Sequence, residues 1–181
     1  MPTLSTLKVL AICGSTRRQS TNLQIIKAIA QLAADDFEVE IYQHLAALPH
    51  FNPDLDDEQV PELVQAFRNQ IGAADGVLIC TPEYVFSLPG SLKNAIEWLV
   101  STTLFYGKPT AIITASGLGQ KAHESLQLIM KTIEAKLSDT TQLLIEGARP
   151  KLNSSGDITD AATLVKVKEL IAAFTKNMHN A

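Results

Sequence analysis

Residues 14–22, Gly-Ser-Thr-Arg-Arg-Gln-Ser-Thr-Asn, crowd hydroxyls and two guanidinium groups directly behind the apolar run Lys8-Val-Leu-Ala-Ile-Cys13. A strand-like run that stops at a glycine, then a polar loop, then a helical pattern has the makings of an anion site. The first N–H groups of a helix lack intrahelical partners, and the helix dipole adds partial positive charge there. Ser15, Ser20, Thr21 and Asn22 can donate hydrogen bonds to phosphate oxygens, and Arg17 and Arg18 can add charge-assisted ones. Taken singly, Ser20 and Asn22 would serve as helix caps and the arginines as solvated surface. Taken together behind an apolar strand, they point to a phosphate carried by a nucleotide or flavin.

Two further loops follow apolar runs. Thr81-Pro-Glu-Tyr-Val-Phe-Ser-Leu-Pro-Gly90 carries Tyr84 and Phe86 where no helical or strand period calls for aromatic rings. Aromatic groups on a proline-restricted backbone suit a flat heteroaromatic ligand. Ser116-Gly-Leu-Gly119 is glycine-rich, which lets backbone approach a ligand closely, although on its own it reads as a plain strand-to-helix turn.

Other chemistries find little footing. A phosphocysteine mechanism built on Cys13 needs an arginine with five residues between, and Gln19 holds that place. Cys13 and Cys80 read as small buried hydrophobes at the ends of neighbouring strands. The four histidines show no ligand spacing, so no metal is expected, and Gly-x-Ser-x-Gly is absent. The acidic run Asp54, Asp56, Asp57, Glu58 reads as a solvated helix start.

The elements that must position these loops alternate along the chain. Strands are predicted at 7–13, 38–42, 76–81, 109–115 and 142–146, and helices at 21–34, 60–72, 91–101, 121–137 and 161–176. The runs at 7–13, 76–81 and 109–115 are almost continuously apolar, as in a parallel sheet covered on both faces. Leu23, Ile26, Ala30 and Ala33 mark one face of the first helix. Leu164, Val167, Leu170, Ile171 and Phe174 mark one face of the last, which Asp160 or Thr159 could cap. Strict alternation argues for a doubly wound α/β domain, whose ligands bind beyond the carboxyl ends of the strands. Residues 44–57 read as a surface loop and 177–181 as a frayed end. The helix at 91–101 holds Leu92, Ala95, Ile96, Trp98 and Leu99, more apolar residues than one narrow stripe, so part of it is expected to face a partner chain.

The chain has 181 residues, enough for a single domain spanning 1–181, with a formal net charge of −4. That charge offers no basic field for a nucleic acid. No apolar run approaches the ~20 residues that cross a bilayer, so no membrane partner is expected. Residues 1–7 lack the regions of a signal peptide, and two cysteines do not make a disulfide framework; the expected location is cytoplasmic.

The three loops in order resemble those of the NADPH-dependent FMN reductase family, flavodoxin-like quinone, azo-dye and chromate reductases. Gly14-Ser-Thr-Arg17-Arg-Gln-Ser20-Thr-Asn22 is similar to its phosphate loop. Thr81-Pro-Glu-Tyr84 with Pro89-Gly-Ser-Leu-Lys-Asn94-Ala-Ile-Glu-Trp98 resembles its flavin-ring loop and dimer helix. Gly107-Lys-Pro109 and Gly156-Asp-Ile-Thr-Asp160 also fit. The resemblance implies a three-layer flavodoxin-like α/β fold, with a five-stranded parallel sheet in order 2-1-3-4-5. It implies non-covalent FMN, the phosphate held by Ser15, Arg17, Ser20, Thr21 and Asn22 with Leu23 beside them. Pro82, Glu83, Tyr84 and Val85 would line the isoalloxazine, and Ser116 and Gly117 its pyrimidine side. Two features depart from the family. Val85 stands where an asparagine is usual, and the third loop is short and lacks an arginine.

The implied activity is an FMN-dependent NAD(P)H oxidoreductase, using NADPH or NADH, that passes hydride through FMN to quinones, azo compounds, metal oxyanions or free flavin. The chemistry would be the flavin's, with no protein catalytic residue, and backbone N–H groups of residues 83–85 would steady charge on the ring. A small-molecule acceptor and a homodimer or homotetramer are implied. Two other readings are an FMN electron carrier of the flavodoxin type and a non-redox phosphate-ligand domain; the two arginines favour the reductase over the carrier.

Overall fold

The computed structural model describes residues 6–57 and 59–181. Residues 1–5, part of the segment read for a leader, and Glu58 of the acidic run lie outside the described residues. Strands β1 (Leu7–Cys13), β2 (Phe37–Ile41), β3 (Gly76–Thr81), β4 (Thr110–Ser116) and β5 (Gln142–Glu146) form one parallel sheet in the order β2-β1-β3-β4-β5. Helices α1 (Thr21–Leu32), α2 (Glu62–Ala73), α3 (Gly90–Glu97), α4 (Gln120–Thr132) and α5 (Ala161–His179) connect the strands or follow them.

The continuous apolar runs have the reason expected of them. Every residue of β3 is buried, because its side chains alternate between two cores. Val9, Ala11, Leu78, Ala111 and Ile113 pack under Ile25, Ile26 and Ile29 of α1 and Val167, Leu170 and Phe174 of α5. Leu10, Ile12, Val77, Ile79 and Ile112 pack under Val64, Phe67 and Ile71 of α2, Leu92 and Ile96 of α3, and Leu126 and Met130 of α4. Burying each such side chain contributes about 1.5–3 kcal/mol, so the two cores fix the three layers. In-register pairs Cys13↔Cys80 and Thr81↔Thr114 bring the carboxyl ends of β1, β3 and β4 level. From β1 the chain turns outward to β2 and then returns to β3 on the other side, so the first two loops diverge over a crevice.

Several boundaries differ from the periodicity. The buried residues of α1 are Asn22, Ile25, Ile26, Ala28 and Ile29, followed by Ala33 just past its end, with Ala30 only half-buried. Helix α4 stops at Thr132 because Glu134 adopts φ 60° and its carbonyl accepts from Gly107 N, after which Lys136 N donates to Lys108 O. Tertiary pairing with the approach to β4 outranks the apolar period there. Helix α5 runs on to His179, so 177–179 is not frayed: Met178 is buried against Gly76, where a Cβ would meet its sulfur at 2.6 Å. The Asp160 carboxylate caps α5, accepting from Thr163 N at 2.8 Å.

The surplus apolar face of α3 is covered within the chain. Segment 44–57 is a packed strap rather than a surface loop. Its Leu45 and Leu48 are buried, Phe51 meets Trp98 edge-on at 5.0 Å, and Pro49 O accepts from Trp98 Nε1 at 2.8 Å. Trp98, just past the end of α3, is fully buried under this strap, whereas Val100 beyond it stays exposed. The acidic run is no helix start either. Pro53–Leu55 make one short 3-10 turn, and Asp56 pairs with Arg68 of α2 beneath the strap.

His123 of α4 is buried, with Nδ1 3.0 Å from Thr114 Oγ1. Burial holds its imidazole below the ordinary value of 6.5, against the pull of Glu124. The fold therefore favours the neutral ring. That stability is present above the unfolded value near 6.5 and is lost as the pH falls below it. Urea unfolding of the protein and of His123→Gln, followed down from neutral pH through that value, should show the gap between them closing; parallel curves would mean that His123 is not the titrating group.

Candidate functional site

The loop after β1 is pinned before it opens. Gly14 N donates to Cys80 O at 2.8 Å, and a Cβ at Gly14 would stand 2.3 Å from Thr81 Oγ1 and 2.7 Å from Thr81 Cβ. Only glycine lets the ends of β1 and β3 approach this closely. Asn22 completes the junction from the buried face of α1. Its Nδ2 donates to Ala115 O at 3.2 Å, and its Oδ1 accepts from the Cys80 thiol at 3.3 Å. The first turn of α1 is thus tied to the ends of both β3 and β4. Burial pushes the thiols of Cys13 and Cys80 up, so both stay protonated and inert beneath the loop.

Above this junction lies an open cleft of about 330 Å³, lined by Ser15, Arg17, Ser20, Thr21, Asn22, Pro82, Tyr84, Ala115, Ser116, Gly117 and Gly147-Ala-Arg-Pro150. Ser20 holds the N-cap place of α1, yet its side chain makes no cap hydrogen bond, and the first turn contains no acid. The uncapped N–H groups and the Ser15, Ser20 and Thr21 hydroxyls therefore lie beside the cleft with the dipole directed into it. Among the described residues neither Arg17 nor Arg149 takes part in an ion pair. Hydroxyls, free amides and guanidinium groups at one end, with Pro82 and Tyr84 at the other, form a donor set that fits FMN: an anion cradle next to a wall for a flat ring.

Nine of the twelve residues expected at the site line this cleft, and three take other places. The Glu83 carboxylate turns away and accepts from Ala122 N at 2.9 Å, capping α4 across the gap between the loops. Leu23 packs half-buried against the core under α1. Val85 stands 94% exposed at the tip of its loop. Asn22 reaches the cleft wall but commits part of its amide to the strand ends, so it positions the cradle as well as lining it.

The tip itself is a tight turn. Tyr84 N donates to Ser87 O at 2.9 Å and Ser87 N to Tyr84 O at 3.1 Å, which removes one of the backbone donors expected to face the ring. Val85 and Phe86 between them have φ 51° and 58°, the left-handed pair of a hairpin turn that Asn-Gly normally fills. A β-branched residue there is strained, and sparsely populated backbone of this kind costs about 1–3 kcal/mol per residue.

The fourth wall holds no residue expected from the sequence. Gly147-Ala-Arg-Pro150 follows β5, and Gly147 N and Ala148 N donate to Gly117 O and Ser116 O at 3.0 and 3.1 Å. The signal was present: a glycine, an arginine and a proline directly after a predicted strand, at the sheet edge where all such loops gather. Arg149 also borders, with Arg17, Asn153 and Ser154, a second polar hollow adjoining the cleft.

The chain matches the family model described as NADPH-dependent FMN reductase over residues 7–149. It is 35% identical over 163 residues to a 2-hydroxy-1,4-benzoquinone reductase of Burkholderia sp, covering 87% of this chain and 88% of that one. It is 32% identical over 175 residues to a quinone reductase of Escherichia coli strain K12, covering 93% of each. Among solved structures it is similar to FerB, a flavoenzyme NAD(P)H:(acceptor) oxidoreductase from Paracoccus denitrificans, with a TM-score of 0.85, 28% identity, and 97% of this chain and 98% of that one covered.

The close approach at Gly14 gives a direct test of the junction. Gly14→Ala should destabilise the protein by about 1–3 kcal/mol in urea unfolding, because the methyl group meets the Thr81 side chain and the strand ends must part. An unchanged midpoint would show that the junction is slack.

Proposed function

The chain belongs to the NADPH-dependent FMN reductase family, and we propose that it passes electrons from NAD(P)H to small aromatic oxidants, quinones first among them. It is an FMN-dependent NAD(P)H oxidoreductase with a flavodoxin-like fold. That membership decides for the enzyme over the electron carrier and the non-redox domain. When bound, FMN would supply the redox chemistry, accepting a hydride's two electrons from NAD(P)H and passing two electrons on to the acceptor.

The residues of this chain bind and orient. The hydroxyls of Ser15, Ser20 and Thr21 and the N–H groups opening α1 hold the phosphate, with Arg17 neutralising its charge. Asn22 keeps that helix end seated on β3 and β4. Arg149, which lines both the cleft and the adjoining hollow together with Arg17 and Thr21, adds positive charge for the cofactor phosphate or for a phosphate of the nicotinamide nucleotide. Pro82 and Tyr84 flank the ring, and Ser116 and Gly117 approach its pyrimidine side. Leu23 and Glu83 serve the scaffold.

The acceptor reading is supported by the quinone reductases among the relatives and by the half-exposed Tyr84 at the ring end of an open cleft. No helix among the described residues is long and apolar enough to cross a membrane, and the buried free thiols suit a reducing compartment, which supports a cytoplasmic protein. For a homodimer the support lies just beyond α3, where Val100 and Tyr106 are left exposed for a second copy to cover.

The observation that carries the assignment is the uncapped first turn of α1 at a cleft lined by two arginines that form no ion pair among the described residues. Arg17→Ala should weaken FMN binding by about 1.5–3 kcal/mol, the range for a hydrogen bond to a charged group. Fluorescence titration with FMN measures it, and unchanged affinity would remove Arg17 from the site. The wild-type protein loaded with FMN should oxidise NADPH or NADH only as fast as a quinone is supplied. A loaded protein that leaves both nucleotides untouched would overturn the proposed reaction.

A further inference from the structure

The strained tip of the loop after β3 does nothing for the core. Val85 is 94% exposed and Phe86 72% exposed, so no packing offsets their left-handed backbone. Nor is the tip loose. Reciprocal hydrogen bonds between Tyr84 and Ser87 close it. Glu83 anchors one side to α4, and buried Leu88 anchors the other ahead of α3. A rigid turn therefore holds two apolar side chains in water, directly after the tyrosine that lines the cofactor cleft. Across the cleft the loop after β4 does something similar: Ser116 and Gly117 line the wall while Leu118 stands 65% exposed beyond them. Hydroxyls and arginines line the cleft beside α1, and the exposed apolar side chains of Val85, Phe86 and Leu118 follow directly in sequence on the residues that line its other walls.

We propose that Val85 and Phe86 are specificity-determining residues for the oxidant, holding a flat, low-polarity quinone at the ring end of the cleft. The inference rests on the reductase reading and deepens it. The acceptor would have to enter beside Tyr84, where the ring of bound FMN would lie, and it has few charged groups for the protein to grip. Contact with apolar side chains is then the means of holding it, and it works only if those side chains are kept up from the loop rather than folded onto it. The left-handed pair does that. An Asn-Gly turn would have the same hydrogen bonds and less strain, but would present no apolar surface. Tyr84, Val85 and Phe86 thus divide the work: the tyrosine faces the cofactor and the next two residues face what replaces the nicotinamide.

The test uses the FMN-loaded protein and the variants Val85→Asn, Phe86→Gly and their combination, with menadione as the apolar acceptor and ferricyanide as the charged one. The double variant should unfold at a higher temperature, because the turn becomes favourable. Its kcat/KM for menadione relative to ferricyanide should fall at least about fivefold through KM, with FMN content retained. A higher midpoint with an unaltered acceptor ratio would overturn the proposal, since the strain would then serve nothing in selection. A lower midpoint that depends on protein concentration would also overturn it, by showing that a second copy covers the tip. Wild-type protein that binds FMN but reduces neither acceptor would instead count against the reductase reading itself.

Discussion

Three strand ends and one helix start meet at Asn22. Its amide donates to the carbonyl at the end of β4 and accepts from the thiol near the end of β3, while Gly14 at the end of β1 sits against Thr81 with no room for a methyl group. The opening turn of α1 is thereby held at one place over the sheet edge, its N–H groups pointing outward. Everything proposed for the cleft depends on that placement, because a dipole and a set of hydroxyls bind an anion only if they converge. The hydrogen bonds are individually modest, each worth about 1 kcal/mol net. Their effect is geometric: they act between residues far apart in sequence, on a scaffold that two apolar cores already hold rigid.

From the junction outward the character of the cleft changes. Next to it are Ser15, Ser20, Thr21 and Arg17, suited to negative charge; beyond are Pro82, Tyr84 and the backbone of Ser116 and Gly117, suited to a flat ring; and the same two loops go on to expose Val85, Phe86 and Leu118. A ligand with a phosphate tail and an aromatic head has one way to lie in such a gradient. The loop after β5 closes the far wall with Arg149, so the polar end is guarded by two guanidinium groups approaching from opposite ends of the sequence.

Much of this was legible in the residues, and the exceptions have physical causes. The predicted spans match β1, β3 and β5 to the residue and β2 and β4 to within one; β1, β3 and β4 show as apolar runs because both their faces are covered, whereas the edge strands β2 and β5 alternate buried and open residues. Helix ends were less visible: nothing local in Glu134 announces a left-handed residue, which follows from pairing with Gly107 and Lys108 across the fold. The surplus apolar face of α3 was real, but its partner was the strap carrying Pro49 and Phe51, a segment whose prolines and acids read as exposed. At the site, residue types revealed the cradle but not the direction of each side chain. Glu83 looked like a ring neighbour and caps α4 instead, and Val85 could be seen to depart from the family without showing that it would be strained and lifted into solvent.

The central claim is that the turn closing β1 grips a phosphate rather than merely starting a helix, and riboflavin offers the most direct comparison, having the same ring and ribityl chain as FMN without the phosphate. Parallel calorimetric titrations of the apoprotein should give FMN the tighter binding by about a hundredfold or more, the worth of two charge-assisted hydrogen bonds at about 1.5 kcal/mol each. Equal affinity for the two flavins would contradict the account, because the ring would then be doing the binding and the cradle at Ser15, Arg17 and Ser20 would have no part in it.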